Sequence, residues 1–468
     1  MKKNFAYQLV YQILSVVIPL VTTPYIARVL EAEGVGIYSY TYAIANYFVI
    51  FGKLGIDMYG NRLIAMQKGD KQKISQKFWD VFCVHLIFAG ISLLLYGILI
   101  ICISENRLIL VIQGIYIISQ LFNINWFYFG MEQFKITVTR NIIVKVITLI
   151  CVFLFVKNIN DIWKYTLITA LGMAVGEAAM WLILPNYVSL CRPKWDEMKK
   201  HIKPLILFFI PVAASSIYTM MDKIFIKIFQ DAEQVGYYEN AEKIVSVGRT
   251  VTVALGTVAL PRASRLVAER KQNILADTVK ESFLIDIWFS IAFAYGIGAV
   301  AGDLVPIFLG DKFTDSIPLV YMLIPCIPCW SIANVFRTQY VIPKQKDKIY
   351  VHSQIIAAVI NFMFNLFCIP IMGTRGAVVG TVIAELIVCV MMVISSKEII
   401  NIMQYGGAFV YLNFAGSVMA LCIKKIEFSA MGTIYEMLLK IIIGGSVYVM
   451  LSILGIVCIK KLQNKSNR

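Results

Sequence analysis

The chain has 468 residues, of which 59% are apolar and only 15% charged, with a mean hydropathy of +0.74. A soluble domain carries about 25% charged residues, so this composition excludes a water-soluble fold and makes lipid the solvent for most of the chain. The net charge of +15 does not point to nucleic acid, because the basic residues sit in short loops between apolar runs, which is the pattern of membrane orientation.

Lys2 and Lys3 precede an apolar stretch, as in a signal peptide. No A-x-A-like cleavage site follows and the run is long enough to span, so it reads as a retained first helix. Apolar runs of about 20 residues predict helices over 5–29, 37–57, 80–103, 108–129, 137–156 and 164–190. A second group follows over 204–229, 236–260, 283–309, 317–341, 350–371 and 376–396, with two more over 405–423 and 438–459. The expected fold is all-α and polytopic, with about 14 transmembrane helices.

Loop charge sets the orientation. The second loop carries Arg62, Lys68, Lys71, Lys73 and Lys77; the sixth Arg192, Lys194, Lys199, Lys200 and Lys203; the eighth Arg262, Arg265, Arg270, Lys271 and Lys280; the tenth Lys344, Lys346 and Lys348. Odd loops such as Glu31-Ala32-Glu33-Gly34 and Asp231-Ala232-Glu233-Gln234 are acidic. Basic loops stay inside, so both termini are expected in the cytoplasm.

The sequence repeats at an offset of 200. Glu31-Ala32-Glu33-Gly34-Val35-Gly36-Ile37-Tyr38 aligns with Asp231-Ala232-Glu233-Gln234-Val235-Gly236-Tyr237-Tyr238, and Ile44 with Ile244. Pro19 and Pro211 precede the two segments, and Gly172…Gly176-Glu177 echoes in Gly380…Ala384-Glu385. Six helices is an even number, so the halves enter the membrane alike, as a parallel repeat. The expected domains are a six-helix lobe over 1–200, a second over 201–400, and two further helices with a basic tail over 401–468, the lobes enclosing a central cavity.

A charge near the bilayer centre costs about 2.5–3.5 kcal/mol, so each one needs a reason. The cations within predicted spans are Arg28, Lys53, Lys145, Lys223, Lys227, Lys243, Arg249 and Arg337; the acids are Asp57, Glu177, Asp222, Asp286, Asp303 and Glu385. Arg28, Asp57, Asp303 and Arg337 lie near helix ends and can snorkel to water; Asp222 beside Lys223 is alternatively a structural pair. Lys145, Lys227, Lys243 and Arg249 suit a hydrated cavity that holds an anionic phosphate or pyrophosphate. Glu177 and Glu385 sit deep, either as hydrogen-bonding partners at tight helix contacts or as protonatable coupling sites.

Other motifs carry little chemistry. Cys326 and Cys329 form a C-x-x-C between Pro325 and Pro328 in an apolar run, which reads as packing, and the ten cysteines read as reduced hydrophobes. His85 and His352 stand without metal-like partners, no phosphate-binding G-x-x-x-x-G-K-[ST] loop is present, and no catalytic residue or metal site is expected.

Four stretches carry a resemblance. They are Thr23-Pro24-Tyr25-Ile26-Ala27-Arg28-Val29-Leu30 running into Gly34-Val35-Gly36-Ile37-Tyr38; Phe51-Gly52-Lys53-Leu54-Gly55-Ile56 with Tyr59-Gly60-Asn61-Arg62; Asn125-Trp126-Phe127-Tyr128-Phe129-Gly130-Met131-Glu132 with Lys135 and Arg140; and Tyr218-Thr219-Met220-Met221-Asp222-Lys223 with Val235-Gly236-Tyr237-Tyr238-Glu239-Asn240-Ala241-Glu242-Lys243-Ile244. With these, the chain resembles the Wzx-like flippases, the polysaccharide-transport branch of the multidrug/oligosaccharidyl-lipid/polysaccharide exporter superfamily, over nearly its whole length.

The resemblance implies a MATE-like pair of lobes in a bacterial cytoplasmic membrane and no enzymatic activity. It implies flipping of an undecaprenyl-pyrophosphate-linked oligosaccharide by alternating access, with membrane lipid and a polysaccharide polymerase as partners, as a monomer. On this reading Arg28, Lys53, Lys145, Lys223, Lys227, Lys243, Arg249 and Arg337 face pyrophosphate and sugar, while Asp57, Glu177, Asp222, Asp286 and Glu385 are candidates for H+ or Na+ coupling, with no other cofactor. The competing expectations are a multidrug or organic-cation antiporter of the same superfamily, which would favour acids over lysine and arginine, and a membrane polymerase or ligase, which would need a larger external loop.

Overall fold

In lipid every backbone N–H and C=O must be satisfied within the chain, so an open apolar sequence of this kind resolves into helices. The structure is a computed structural model that describes residues 2–67, 70–425 and 433–466; Lys68 lies outside the described residues, as do the side chains of residues 2–16 (Lys2 and Lys3 included), of Tyr218, of 251, 254, 255, 257 and 258, of 433 and of 456–466. Among the described residues, eleven helices are long and apolar enough to cross a membrane, and no strand occurs. The chain is a multi-pass membrane protein.

It divides into two compact units, Met1–Gly236 and Tyr237–Arg468. The first contains α1 (Lys2–Lys53), α2 (Ile56–Ala65), α3 (Lys71–Cys102), α4 (Arg107–Gln120), α5 (Asn125–Gly130), α6 (Phe134–Phe155), α7 (Ile162–Trp181) and α8 (Trp195–Phe229). The helix α9 (Ala232–Ala268) begins in the first unit and continues in the second. There it is followed by α10 (Gln272–Leu309), α11 (Ser316–Leu323), α12 (Cys326–Phe336), α13 (Asp347–Met372), α14 (Thr374–Ser395), α15 (Gly406–Lys425) and α16 (Thr433–Ser466).

The departures from the predicted spans have local causes. The spans 5–29 and 37–57 form one helical run, α1, broken at Glu31, whose φ of 58° is left-handed. The second of these ends at Lys53, because Leu54 also takes a positive φ of 48° and turns the chain into the short α2. The span 317–341 is divided at Ile324-Pro325 and closes in a π-helical turn, Arg337–Val341. The helices α3, α8 and α10 begin at Lys71, Trp195 and Gln272, well before the apolar runs that start at 80, 204 and 283. Those first turns are polar, and Asp70 caps α3 by accepting from Gln72 N at 3.1 Å and Lys73 N at 3.0 Å.

Helices in lipid associate through close packing and hydrogen bonds, since burial from lipid supplies no hydrophobic drive. In the first unit the centre is aromatic. Phe78, Trp126, Phe127 and Tyr128 are fully buried, and Phe78 stacks on Trp126 with centroids 5.5 Å apart. The short α5 that supplies three of these rings is held by Tyr128 Oη donating to Met180 O at 2.7 Å. In the second unit α13 and α14 form a tight hairpin. Gly373 there has φ 60°, and a Cβ on Gly376 would lie 2.5 Å from the Cys368 carbonyl, so both positions require glycine. Against α10, α16 is pinned by Lys440, whose Nζ lies 2.8 Å from Asp303 Oδ2 and 2.8 Å from Glu436 Oε1.

Candidate functional site

Each unit buries one of the two repeat-related glutamates, and their surroundings differ. In the first unit Glu177 on α7 is 2% exposed. Its oxygens accept from Asn125 Nδ2 on α5 at 2.8 and 2.9 Å, and Arg140 Nη1 on α6 lies 3.3 Å from Oε1. Arg140 Nη2 also donates to Asn125 Oδ1, so the three side chains close a triangle across three helices. The approach of α6 to α7 depends on small residues, for a Cβ on Gly176 would stand 3.0 Å from Val144 and 3.2 Å from Arg140. Glutamate and arginine cancel in charge, and the Asn125 amide bonds to both, which offsets part of the desolvation penalty of a buried ion pair.

In the second unit Glu385 on α14 is 4% exposed, and its charged neighbours are Arg249 and Glu242, both on α9. The Arg249 guanidinium stands over the Trp330 ring of α12, 5.0 Å from its centroid, a cation–π arrangement. Among the described residues Glu385 has no ion-pair partner within 4.0 Å. The first glutamate is therefore held in an ion pair, whereas Glu385 feels the charges of Arg249 and Glu242 at a distance. An arrangement of the second kind can exchange a proton or admit an anion without first breaking a salt bridge.

The other sequence-selected residues are dispersed. Lys53 Nζ lies 2.6 Å from Asp57 Oδ2, in an ion pair at the junction of α1 and α2. Lys227 pairs with Glu105 at 2.9 Å and lies over Tyr40, at 5.9 Å from the ring centroid. Lys243 pairs with Glu239 at 3.0 Å and is 44% exposed. Arg28 is exposed on α1, Lys145 is half-buried on α6, and Asp222 is buried next to half-buried Lys223 near Tyr47. Asp286 is buried on α10, with Ser331 Oγ donating to its carbonyl at 3.2 Å and standing 3.4 Å from Oδ1. Arg337 donates to Asn334 Oδ1 at 3.0 Å and to Tyr350 Oη at 3.4 Å, both within the second unit. Among the described residues no group of three His, Cys, Asp or Glu side chains could hold a metal ion.

Residues 1–267 match the family described as polysaccharide biosynthesis protein. The chain belongs to this family. Among curated relatives, a putative O-antigen transporter of Shigella dysenteriae is 22% identical over 402 residues, covering 85% of this chain and 100% of the relative. A putative O-antigen transporter of Escherichia coli (strain K12) is 21% identical over 398 residues, covering 84% and 95%. Among solved structures, the lipid II flippase MurJ in an inward closed conformation superimposes with a TM-score of 0.74 at 15% identity, covering 97% of this chain and 98% of that one. An inward-facing multidrug resistance MATE family transporter gives a TM-score of 0.58 at 13% identity, covering 84% and 99%. The fold is that of the MurJ and MATE transporters.

Sequence reasoning missed two members of the first cluster, Asn125 and Arg140, although both belong to the stretch that carries the family resemblance. Arg140 stands three residues inside the predicted span 137–156, a position that marks it as a buried cation. Lys440 was also missed, because its partner Asp303 is distant in sequence and looked free to reach water.

Proposed function

We propose that this protein is a flippase that carries an undecaprenyl-pyrophosphate-linked oligosaccharide repeat unit from the cytoplasmic to the outer leaflet of a bacterial cytoplasmic membrane. The observation that carries this reading is the similarity, end to end of the relatives, to proteins described as putative O-antigen transporters, joined to a MurJ-like fold. Both termini lie in the cytoplasm, the chain crosses fourteen times, and it works as a monomer upstream of a polysaccharide polymerase. Transport proceeds by alternating access.

The Arg249–Glu385 pair is the working centre of the second unit. Arg249, already desolvated against Trp330, receives the pyrophosphate, and Glu385 exchanges a proton or Na+ as the anion arrives and leaves. Arg28, Lys53, Lys145, Lys223, Lys227, Lys243 and Arg337 supply positive potential along the route, and Asp57, Asp222 and Asp286 are subordinate coupling candidates. Glu177, closed against Arg140 and Asn125, holds its unit together. Outward movement of one negative charge across an interior-negative membrane gains about 2.3 kcal/mol per 100 mV, so the direction is favourable.

The test is a deletion strain assayed for lipid-linked repeat units. Accumulation on the cytoplasmic leaflet, relieved by the wild-type chain but not by Arg249→Ala at equal membrane abundance, is the expected result. Unpolymerised units on the outer leaflet would instead assign the chain to polymerisation.

A further inference from the structure

The helix α6 is the least buried of the eleven apolar helices, with 11% of its apolar window covered. Between it and α7 runs a groove of about 550 Å³. Its walls are Ile143, Ile147 and Val175, all more than half exposed, and its floor includes Gly176 and Ala179. Isoleucine and valine walls are costly to wet, so this face belongs to hydrocarbon.

One end of the groove is basic. Lys135 and Arg140 line it together with Thr139. Lys135 is exposed and makes no ion pair among the described residues. Arg140 commits Nη1 and Nη2 to Glu177 and Asn125, and its guanidinium adds positive charge to this end of the groove. The loop charges assign this end of α6 to the cytoplasmic side.

The groove's length selects the occupant. From Lys135 to Ile147 the helix rises roughly 18 Å, and half of the hydrocarbon core is about 15 Å. That accommodates one acyl chain lying within one leaflet, with its headgroup at the basic end. We propose that the α6–α7 groove is a binding site for an anionic glycerophospholipid of the cytoplasmic leaflet, its phosphate held by Lys135 and Thr139 beside the Arg140 guanidinium and one acyl chain laid along Ile143, Ile147 and Val175. This assignment does not depend on what the protein transports.

The experiment uses the full chain purified in detergent and offered equimolar phosphatidylglycerol and phosphatidylcholine with identical acyl chains, with retained lipid read by native mass spectrometry. The expected result is one retained phosphatidylglycerol, favoured over phosphatidylcholine by about tenfold, as one charge-assisted contact permits. Lys135→Glu removes the headgroup cation and Ala179→Trp fills the groove; each should abolish the preference while leaving the melting temperature unchanged, whereas Lys164→Glu should keep it. Equal retention of the two lipids, or preference surviving both variants, would overturn the proposal. Displacement of phosphatidylglycerol by stoichiometric undecaprenyl phosphate would also overturn it, because the groove would then serve a polyprenyl lipid.

Discussion

Gly36 and Gly236, equivalent positions of the 200-residue repeat, are packed against each other's segments reciprocally: a Cβ on Gly36 would overlap Ala232 O, and one on Gly236 would overlap Ala32 O. All four residues belong to the first unit. Backbone meets backbone here, so no side-chain rotamer can relieve an added methyl. Gly36→Ala and Gly236→Ala are each expected to destabilise the protein by about 1–3 kcal/mol, the usual cost of overpacking. Because both act at one contact, the double variant should depart from additivity by about 0.5–3 kcal/mol. Thermal unfolding in detergent measures both quantities. An unchanged melting temperature in either single variant would mean that the contact is not made in the purified protein.

The triangle of Asn125, Arg140 and Glu177 makes a graded prediction. Arg140→Ala leaves a buried carboxylate without its counter-charge, which costs about 3–5 kcal/mol. Glu177→Gln keeps a group that can still meet Asn125, and should cost less than Arg140→Ala. Replacing both ions, as Arg140→Met with Glu177→Leu, should recover much of the loss, since an apolar pair of similar volume is often as stable as a buried ion pair. The quantity to measure is folded protein after membrane extraction, together with its melting temperature. If the double variant is no better than Arg140→Ala, the cluster does more than satisfy its own charges.

The contrast between the two glutamates shows how far the sequence could be read. Many helix positions were legible because about 20 consecutive apolar residues rarely form anything but a membrane-crossing helix, and among the described residues eleven helices are long and apolar enough to cross. The breaks were not legible where they depend on backbone strain. Nothing in the composition around Glu31 or Leu54 requires a left-handed φ, yet those two residues set where α1 bends and ends. Glu177 and Glu385 were recognisable as a pair by the repeat and by depth, but their partners come from elsewhere in the chain. Arg140 lies 37 residues before Glu177, while Arg249 lies much farther before Glu385. Partners at such unequal separations cannot be paired by spacing alone. The Asn125-Trp126-Phe127-Tyr128 stretch, legible as a family signature, serves packing and the ion triangle.

Lys440 gives a third prediction. Its side chain is 11% exposed and bridges Asp303 on α10 with Glu436 on its own helix. Lys440→Met would leave two carboxylates facing one another, at a cost of about 1–3 kcal/mol. Asp303 is 38% exposed and can turn to solvent, so Asp303→Asn should cost less. Limited proteolysis offers the direct reading, as α16 should become cleavable in Lys440→Met before the rest of the second unit does. Equal protease resistance in wild type and variant would show that α16 is held by its apolar face alone.

The connections predict a pH window. Tyr340 Oη donates to Glu398 Oε2 at 2.7 Å, while Lys346 Nζ donates to Tyr340 Oη at 2.9 Å and reaches Glu398 Oε2 at 3.1 Å. The tyrosine hydroxyl, then the lysine ammonium, hold the Glu398 carboxyl below the usual glutamate range. The Tyr340 hydroxyl, with Glu398 beyond it, raises the Lys346 ammonium above the usual lysine range. A lowered carboxyl contributes stability above its unfolded pKa, and the contribution is lost as pH falls through the lowered value; a raised ammonium contributes below its unfolded pKa and loses it as pH rises through the raised value. The melting temperature of wild type should therefore exceed that of Glu398→Gln by a constant margin from about pH 5 to about pH 9, between the ordinary glutamate and lysine values. The margin should shrink on acidification below that range, and Lys346→Met should reproduce the same plateau. A margin that grows on acidification would have the wrong sign for a carboxylate held ionised by Tyr340 and Lys346.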